Sequence, residues 1–398
     1  MKSLSRFLVS TLVFAGACGG DAGDPCAEPG QVCRWAGIGE RGYNNLNPDA
    51  DRRDSKLYAP MDLTFGPDGR AVIADWNNHR IRRVELDGRM TSIIGTDYEG
   101  DGAADRSDLL PKGSAPGALG SLIAMNHPSD LEFGPDGKMY VGAWHNNKVW
   151  TYDPATENTV TLTGDTYGFS GDGGPCYLAA LNQPKAIVIA RDGTLYTNDQ
   201  RNVRIRKVTP DGIIDTISGD GTIGNAGDGG DMALATWGMD TGTTPRPAGG
   251  LVLADNDRTL YVADSRNNRI RKIDLDTGMV TAVAGDPAGA PGFVDGDGAA
   301  ARFDFPLDIE IGPEGHLYVA DRYNNVIRAI DPATGAVRTV AGNGLRCASL
   351  NDCGATENVD GLAPLDVQLN EPYGLAFDVD GNLFIADTHN HRILKVTR

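Results

Sequence analysis

Residues 73–95 read "IADWNNHRIRRVELDGRMTSIIG", and their outline returns at 262–285 as "VADSRNNRIRKIDLDTGMVTAVAG" and at 319–342 as "VADRYNNVIRAIDPATGAVRTVAG". In four copies a Pro stands 15 residues before the Asp of this phrase, at Pro60, Pro184, Pro306 and Pro372. Pro128 leads at the same distance to Ala143, and a looser copy runs from Pro247 to Asp264. The chain therefore contains six copies of one unit.

Each copy has the pattern of short antiparallel strands. Apolar residues alternate, as in Leu317-Tyr318-Val319, and Asp-Gly-type turns such as "GPDG" (66–69) separate the alternating runs. We read four strands, A to D, in each copy. A four-stranded sheet buries neither face alone, so the copies are expected to pack around an axis as the blades of a propeller.

The two ends of the repeat array complement each other. The sixth copy stops at Arg398 after its third strand, whereas "QVCRWAGIG" (31–39) aligns with the fourth-strand sequence "AVRTVAGNG" (336–344). We therefore predict an all-β, six-bladed propeller of four-stranded antiparallel blades, closed by the N-terminal strand in the last blade. This arrangement would hide a sheet edge.

The repeated phrase, summarised as P-x-x-L/I…DG…YVADxxNNxIR…VAG…GDGGxA…LxxP, resembles the NHL repeat from about residue 31 to 398. The resemblance implies the propeller fold. It leaves the function open, because such propellers include binding scaffolds and enzymes.

Composition excludes one class of partner. The chain has 398 residues and a formal net charge of −18, whereas nucleic-acid-binding surfaces carry clustered Lys and Arg. We expect no nucleic-acid partner.

The N-terminus "MKSLSRFLVSTLVFAGACGG" has a basic start and a short apolar run, as export signals do. Ala15-Gly16-Ala17 fits ordinary cleavage and also resembles a bacterial lipobox, which would lipidate Cys18. We expect a signal peptide at 1–17, a lipidated or flexible linker at 18–30 and the propeller at 31–398. The protein would be an envelope lipoprotein at the outer membrane or cell surface, alternatively periplasmic or secreted, and a monomer that contacts membrane only through its lipid.

The other cysteines fall into two close pairs and one single residue. Disulfides are expected between Cys26 and Cys33 and between Cys347 and Cys353, with Cys176 left over. If Cys18 carries no lipid, it is a further candidate for pairing.

The residues common to most copies are interpreted as structural. The five turn aspartates should accept hydrogen bonds from their own loops, and we read His79, His391 and the "GDGG" tracts (171–174, 227–230) in the same way. The alternative for the Gly-Asp tracts is calcium binding, although none matches a complete calcium-binding pattern. The turn aspartates are Asp75, Asp199, Asp264, Asp321 and Asp387.

Residues that depart from the repeat near the axis form a candidate site for a divalent cation (Ca²⁺, Mg²⁺ or Zn²⁺). Carboxylates and a neutral imidazole are suitable ligands, and axial metals occur in the gluconolactonase-like and peptidyl-hydroxyglycine-lyase-like propellers that this fold resembles. The alternative is that these polar groups solvate one another. The set is Asp62, His127, Asp130, Asp308 and Glu371.

Aromatic and basic residues beside the turn aspartates and the prolines form a candidate ligand-binding set, with Arg246 available for an anionic group. Such side chains dominate binding hot spots, or they brace neighbouring loops. The set is Trp76, Trp144, His145, Gln183, Arg246, Arg322, Tyr323 and Tyr373, with Arg201, Arg266 and His389 nearby.

The sequence thus favours an exported binding scaffold. Its protein, peptide or glycan ligand would meet the face formed by the long D-to-A and B-to-C loops. The alternative is a metal-dependent lyase or lactonase at the channel mouth, with no catalytic residue identified.

Overall fold

The computed structural model describes residues 26–43, 50–96, 118–164, 166–345 and 358–398. The predicted signal peptide, Cys18, and the Cys347 and Cys353 pair lie outside the described residues, as does the linker up to residue 25. No helix in the described part of the chain has the length and apolar character needed to cross a bilayer.

Six antiparallel sheets form the predicted propeller, numbered here by the chain order of their innermost strands. From the axis outward, blade 1 consists of Pro60–Phe65, Ala71–Asp75, Arg80–Val84 and Met90–Ile94. Blade 2 consists of Pro128–Phe133, Met139–Ala143, Lys148–Asp153 and Asn158–Thr163. Blade 3 consists of Pro184–Ile189, Leu195–Asp199, Arg204–Val208 and Ile213–Ser218.

The second half of the ring repeats this order. Blade 4 consists of Leu251–Ala254, Thr259–Asp264, Arg269–Asp274 and Met279–Gly285. Blade 5 consists of Pro306–Ile311, Leu317–Asp321, Val326–Ile330 and Ala336–Ala341. Blade 6 consists of Leu375–Phe377, Leu383–Asp387, Arg392–Val396 and, outermost, Val32–Ala36. Neighbouring innermost strands contact one another around the whole ring.

The N-terminal strand closes the ring as predicted. Val32 pairs with Val396 and Ala36 with Ile393 in antiparallel register. The predicted Cys26–Cys33 disulfide is present, with a Cα–Cα distance of 5.2 Å, and ties the entering chain to this strand.

Single helical turns connect the second and third strands of five blades, and the face on which they lie is called the loop face. The opposite face, which carries the tight turns between first and second strands, is called the turn face. The described 3-10 turns are Trp76–Asn78, Gly120–Leu122, Cys176–Leu178, Gln200–Asn202, Met232–Leu234, Ser265–Asn267, Gly298–Ala300, Arg322–Asn324, Pro364–Asp366 and Thr388–Asn390.

The long connections between blades cover the outer sheet edges. Ala118–Leu119, Gly174–Pro175 and Gly296–Asp297 pair with the outer strands of blades 2, 3 and 5. Single bridges do the same in the other blades, for example between Val32 and Leu362. Much of the surplus sequence that we assigned to a ligand face therefore protects edges that would otherwise pair with other chains.

Apolar side chains fill the spaces between blades. Ile81 and Ile94 of blade 1, for example, pack in one cluster with Val141, Trp150 and Tyr152 of blade 2. Burial of each such side chain contributes about 1.5–3 kcal/mol. This packing fixes the innermost strands and with them the groups that face the axis.

Candidate functional site

The turn aspartates have the structural role that the repeat predicts. Asp321 is fully buried and accepts hydrogen bonds from the Asp304 backbone N–H (2.8 Å), the Asn324 amide (2.9 Å) and Arg328 Nη1 (2.8 Å). Equivalent bonds to the preceding loop and to the Asn are made by Asp75, Asp199, Asp264 and Asp387. These carboxylates are committed to holding their own blades.

The aspartates of the Gly-Asp tracts bind the same arginines from the other side. Arg206 Nη2 lies 2.6 Å from Asp172 Oδ1, and in the corresponding connection of blade 5 (294–300) Arg328 Nη2 lies 2.6 Å from Asp295 Oδ1. Asp228 accepts from both Arg269 and Arg271. The structural interpretation of the "GDGG" tracts is therefore confirmed, since their carboxylates neutralise buried guanidinium groups.

Blade 2 replaces this charge pair by an apolar pair. Ala143 stands at the Asp position and Trp150 at the position of Arg328, and both are fully buried. The lost backbone acceptor is supplied by Asn146, whose Oδ1 accepts from the Asn126 N–H at 2.8 Å. The loop keeps its course, and Trp144 and His145 follow it on the loop face.

Three residues of the predicted metal set converge on the axis. Asp62, Asp130 and Asp308 each accept a hydrogen bond from a backbone N–H of the adjacent blade, at 2.6–2.9 Å. The backbones of blades 1 and 6 approach closely here, since a Cβ on Gly374 would lie 2.6 Å from Asp62 Cα. Each carboxylate thus joins two innermost strands.

Lys185 supplies the positive charge at this point. Its Nζ lies 3.5 Å from Asp130 Oδ1 and 3.7 Å from Asp308 Oδ1, and the residue is buried. Burial opposes its charge, but the surrounding aspartates outweigh burial and raise the pKa of Lys185. Burial also raises the pKa of Asp130 to about 6, although Lys185 opposes that rise. Our sequence reasoning missed Lys185, which directly follows the Pro of its repeat.

Two further carboxylates line the same channel. Glu132 and Glu310 stand two residues after Asp130 and Asp308, on the same strand face, and border a cavity of about 390 Å³ near the turn-face residues Arg191 and Asp257. Burial, followed by repulsion from Asp130 and Asp308, raises the pKa of Glu132 to about 8. The period-two alternation of strands was the signal that could have identified them.

The other two members of the predicted metal set lie elsewhere. His127 contacts His145, with 2.7 Å between the two Nδ1 atoms, and its backbone N–H donates to His79 Nδ1. Burial, with His79 and His145 nearby, lowers the pKa of His127 to about 3. Glu371 instead pairs with Arg322.

The five predicted ligands thus do not form one site. No group of three or more His, Cys, Asp or Glu side chains in the described ranges is arranged to hold a metal ion. The divalent-cation hypothesis stays a prediction, and the structure brings together only its three aspartates, of which Asp130 and Asp308 are already paired with Lys185.

The predicted ligand-binding set is largely brought together in a cavity of about 220 Å³ on the loop face, called here the mouth pocket. Its walls come from the loops after the second strands, from the chain before blade 4 and from the start of blade 6. The polar and aromatic residues that line it are Trp76, Asn77, Trp144, Arg246, Arg322, Glu371, Tyr373, Thr388 and His389.

Arg322 is the buried charge of the mouth pocket. Its Nε and Nη2 donate to Glu371 Oε2 at 3.0 and 2.6 Å, and its side chain is only 2% exposed. The guanidinium carbon lies 4.6 Å from the ring centroid of Tyr323 and 4.5 Å from that of Tyr373. Arg322 Nη1 is buried and has no hydrogen-bond partner in the described part of the chain.

Arg246 covers the pocket from the loop before blade 4. It is exposed, donates to the Tyr323 hydroxyl and is fixed at its backbone by Asp240 and Gln200. His389 lies 3.8 Å from Glu371, and burial lowers its pKa although Glu371 opposes that effect. Burial raises the pKa of Tyr373 to about 12.

Of the predicted residues, His145, Gln183 and Tyr323 do not line this pocket. Trp76 packs against Trp144, with 5.2 Å between ring centroids, and His145 stacks on Trp144 at 4.3 Å. Gln183 does not line the pocket, and its backbone N–H donates to Asn147. Glu371 was predicted as a metal ligand, but it belongs to this pocket as the partner of Arg322.

Comparisons with known proteins agree with this architecture. A model of the Teneurin NHL domain matches residues 280–397. The chain is 30% identical over 374 residues to Protein SUPPRESSOR OF QUENCHING 1, chloroplastic, of Arabidopsis thaliana, covering 89% of this chain and 26% of that protein. It is 27% identical over 381 residues to NHL repeat-containing protein 2 of Bos taurus, covering 89% of this chain and 42% of that protein. The chain spans less than half the length of these curated relatives.

A solved structure with a similar fold comes from Bacteroides thetaiotaomicron. This auxiliary nutrient binding protein superposes with a TM-score of 0.61 at 17% identity, covering 92% of this chain and 75% of that one. At that identity the likeness concerns the fold alone.

Proposed function

Because the chain is an NHL-repeat β-propeller, we propose that it is an exported binding protein of the bacterial cell envelope, whose ligand enters the mouth pocket. The observation that carries the proposal is the convergence of Trp76, Arg246, Arg322 and Tyr373 on one concave site. Aromatic and arginine side chains around a pocket are the usual centre of a binding site.

The size of the mouth pocket indicates how the ligand is held. At about 220 Å³ it is smaller than the roughly 300–1,000 Å³ typical of pockets that enclose a whole small molecule. It would take one unit of a larger ligand, such as a sugar ring or a single side chain, while the rest lies across the loop face. This supports a glycan or peptide ligand.

Two observations support export. The Cys26–Cys33 disulfide is typical of oxidising compartments, and the first residues have the pattern of an export signal. The fold is shared with an auxiliary nutrient binding protein, so it is compatible with ligand binding.

The test is a binding screen of the purified chain against glycan and peptide arrays. We expect the double variant Trp76→Ala/Tyr323→Ala to lose the ligands that the wild type binds, because it removes Trp76 from the pocket lining and Tyr323, whose hydroxyl accepts a hydrogen bond from Arg246. The matched control is Tyr167→Ala/Tyr177→Ala, which removes two exposed aromatics from a loop outside the mouth pocket. Equal binding by the pocket variant and the wild type, or no ligand on either array, would exclude the proposal.

A further inference from the structure

We infer that the unit held in the mouth pocket is a sugar acid, and that Arg322 and Arg246 recognise its carboxylate while the surrounding aromatic side chains contact its ring. The inference rests on the proposed function and names the ligand class of the same pocket.

The first observation is an unsatisfied donor. Arg322 donates hydrogen bonds from Nε and Nη2 to Glu371, but its Nη1 has no acceptor among the described residues. A buried donor without a partner costs about 1–3 kcal/mol. The protein therefore keeps an unused charged donor in the wall of a ligand-sized cavity, and an oxygen acceptor from a ligand would satisfy it.

The second observation is the charge of the pocket lining. Arg246 and Arg322 contribute two positive charges and Glu371 one negative charge, which leaves one net positive charge with His389 neutral. Arg246 makes its side-chain hydrogen bond to the Tyr323 hydroxyl. One carboxylate neutralises the pocket, and the planar guanidinium group binds carboxylates with good geometry.

The third observation distinguishes a ring from an acidic side chain. Trp76 lines the pocket together with Tyr373 and is only half-buried. An Asp or Glu side chain would satisfy the arginines but leave the Trp76 surface in contact with water. A sugar ring that carries a carboxylate satisfies the arginines and covers the aromatic surfaces, and one such ring suits a cavity of about 220 Å³.

Ligand entry involves an adjustment of the wall, because Arg322 Nη1 is itself covered. Arg246 is the exposed residue of this wall, so its side chain has room to rotate away from Tyr323. Side-chain rearrangements of this kind are common at binding sites.

The experiment compares two forms of one ligand by isothermal titration calorimetry. The probes are a galacturonic acid oligosaccharide, its fully methyl-esterified form, and an acidic peptide of Glu residues. We expect the esterified form to bind about 10- to 100-fold more weakly than the acid, since it loses charge-assisted hydrogen bonds. We expect the acidic peptide to bind more weakly than the sugar acid.

Two variants assign the effect to the arginines. Arg246→Ala should remove most of the preference for the acid, whereas Arg258→Ala, an exposed arginine paired with Asp276 outside the mouth pocket, should retain it. The double variant Arg322→Met/Glu371→Gln removes the buried pair without leaving a lone charge, and should abolish the preference.

The outcomes separate this inference from the proposed function. If both oligosaccharide forms bind equally and Trp76→Ala removes that binding, the pocket is a binding site but the sugar-acid inference is wrong. Preferential binding of the acidic peptide, or no binding of the acid form, also overturns the inference. An unchanged acid preference in Arg246→Ala, with the folded double variant also unchanged, excludes the arginines as the recognising groups.

Discussion

Replacing Glu132 by Gln tests whether the channel carboxylates are held neutral. The pKa of Glu132 is raised from its ordinary value of 4.5 to about 8, first by burial and then by repulsion from Asp130 and Asp308. A carboxyl whose folded pKa lies above its unfolded pKa favours the folded state least when it is ionised. Its presence therefore destabilises the protein increasingly as the pH rises from about 4.5 to about 8.

The expected magnitude follows from the two pKa values. Linkage predicts that Glu132→Gln raises the free energy of unfolding, relative to the wild type, by about 1 kcal/mol at pH 5, about 3 kcal/mol at pH 7 and about 5 kcal/mol at pH 9, apart from a pH-independent offset. These are upper bounds, because the residue is only half-buried and water that enters the cavity would screen its charge. The advantage should grow with pH and level off above pH 8.

The measurement is urea unfolding at these three pH values, followed by tryptophan fluorescence and circular dichroism to check that the transitions coincide. Glu85→Gln is the matched control, and its effect on the free energy of unfolding should have the opposite sign. Burial alone would raise the pKa of Glu85, but bonds from Arg70, Arg83 and Thr91 lower it. Glu85 therefore stabilises the protein at neutral pH, and that contribution is lost as the pH falls through its folded pKa. A Glu132→Gln advantage that is constant or falls with pH would refute the reasoning.

Two further predictions concern the scaffold. Asp321→Ala should lower the free energy of unfolding by about 3–5 kcal/mol because it leaves Arg328 buried beside a single carboxylate, whereas Asp295→Ala, with 48% of its side chain exposed, should cost about 1 kcal/mol. Equal losses in urea unfolding would contradict this. Cys33→Ser should cost about 2–3 kcal/mol by opening the short loop to Cys26. It should also speed amide exchange in the last strand of the chain, and unchanged exchange there would contradict the role of the N-terminal strand as a clasp.

The fold could be predicted because its determinants are local and repeated. Each 15-residue interval from a Pro to the turn Asp contains two alternating strands and a turn, and the same hydrogen bonds recur at each copy. Ring closure was also predictable, since the last copy lacks one strand and the sequence around Val32 matches it. The use of the long connections was not predictable, because edge capping depends on how far a loop reaches across the next blade.

The sequence identified most of the residues around the mouth pocket, but not which of them bind one another. Trp76, Trp144 and Arg322 occupy the same repeat position, so symmetry alone brings them toward the axis. The bond between Arg322 and Glu371 spans 49 residues and joins two blades, and nothing local in the sequence specifies such a pair. Hence Glu371 was assigned to a metal set rather than to the arginine.

In the channel, too, the residues were recognised but their partner was not. Asp62, Asp130 and Asp308 were recognised as departures from the repeat, but the decisive partner is Lys185, whose position in blade 3 carries no shared signal. Because a buried lysine already supplies the charge that a cation would bring, converging carboxylates on a propeller axis are not by themselves evidence for a metal.

Blade 2 connects the scaffold to the site. Elsewhere an Asp below the loop holds a buried arginine, as Asp321 holds Arg328, and that ion pair fixes the loop. In blade 2 the pair is replaced by Ala143 and Trp150, and Asn146 alone keeps the backbone acceptor. The loop is then held by the stacking of its own Trp144 with His145 and by contact with Trp76 of blade 1. Because that contact joins two blades at the mouth pocket, the loss of a charged anchor in one repeat is compensated by the aromatic wall that we propose contacts the ligand.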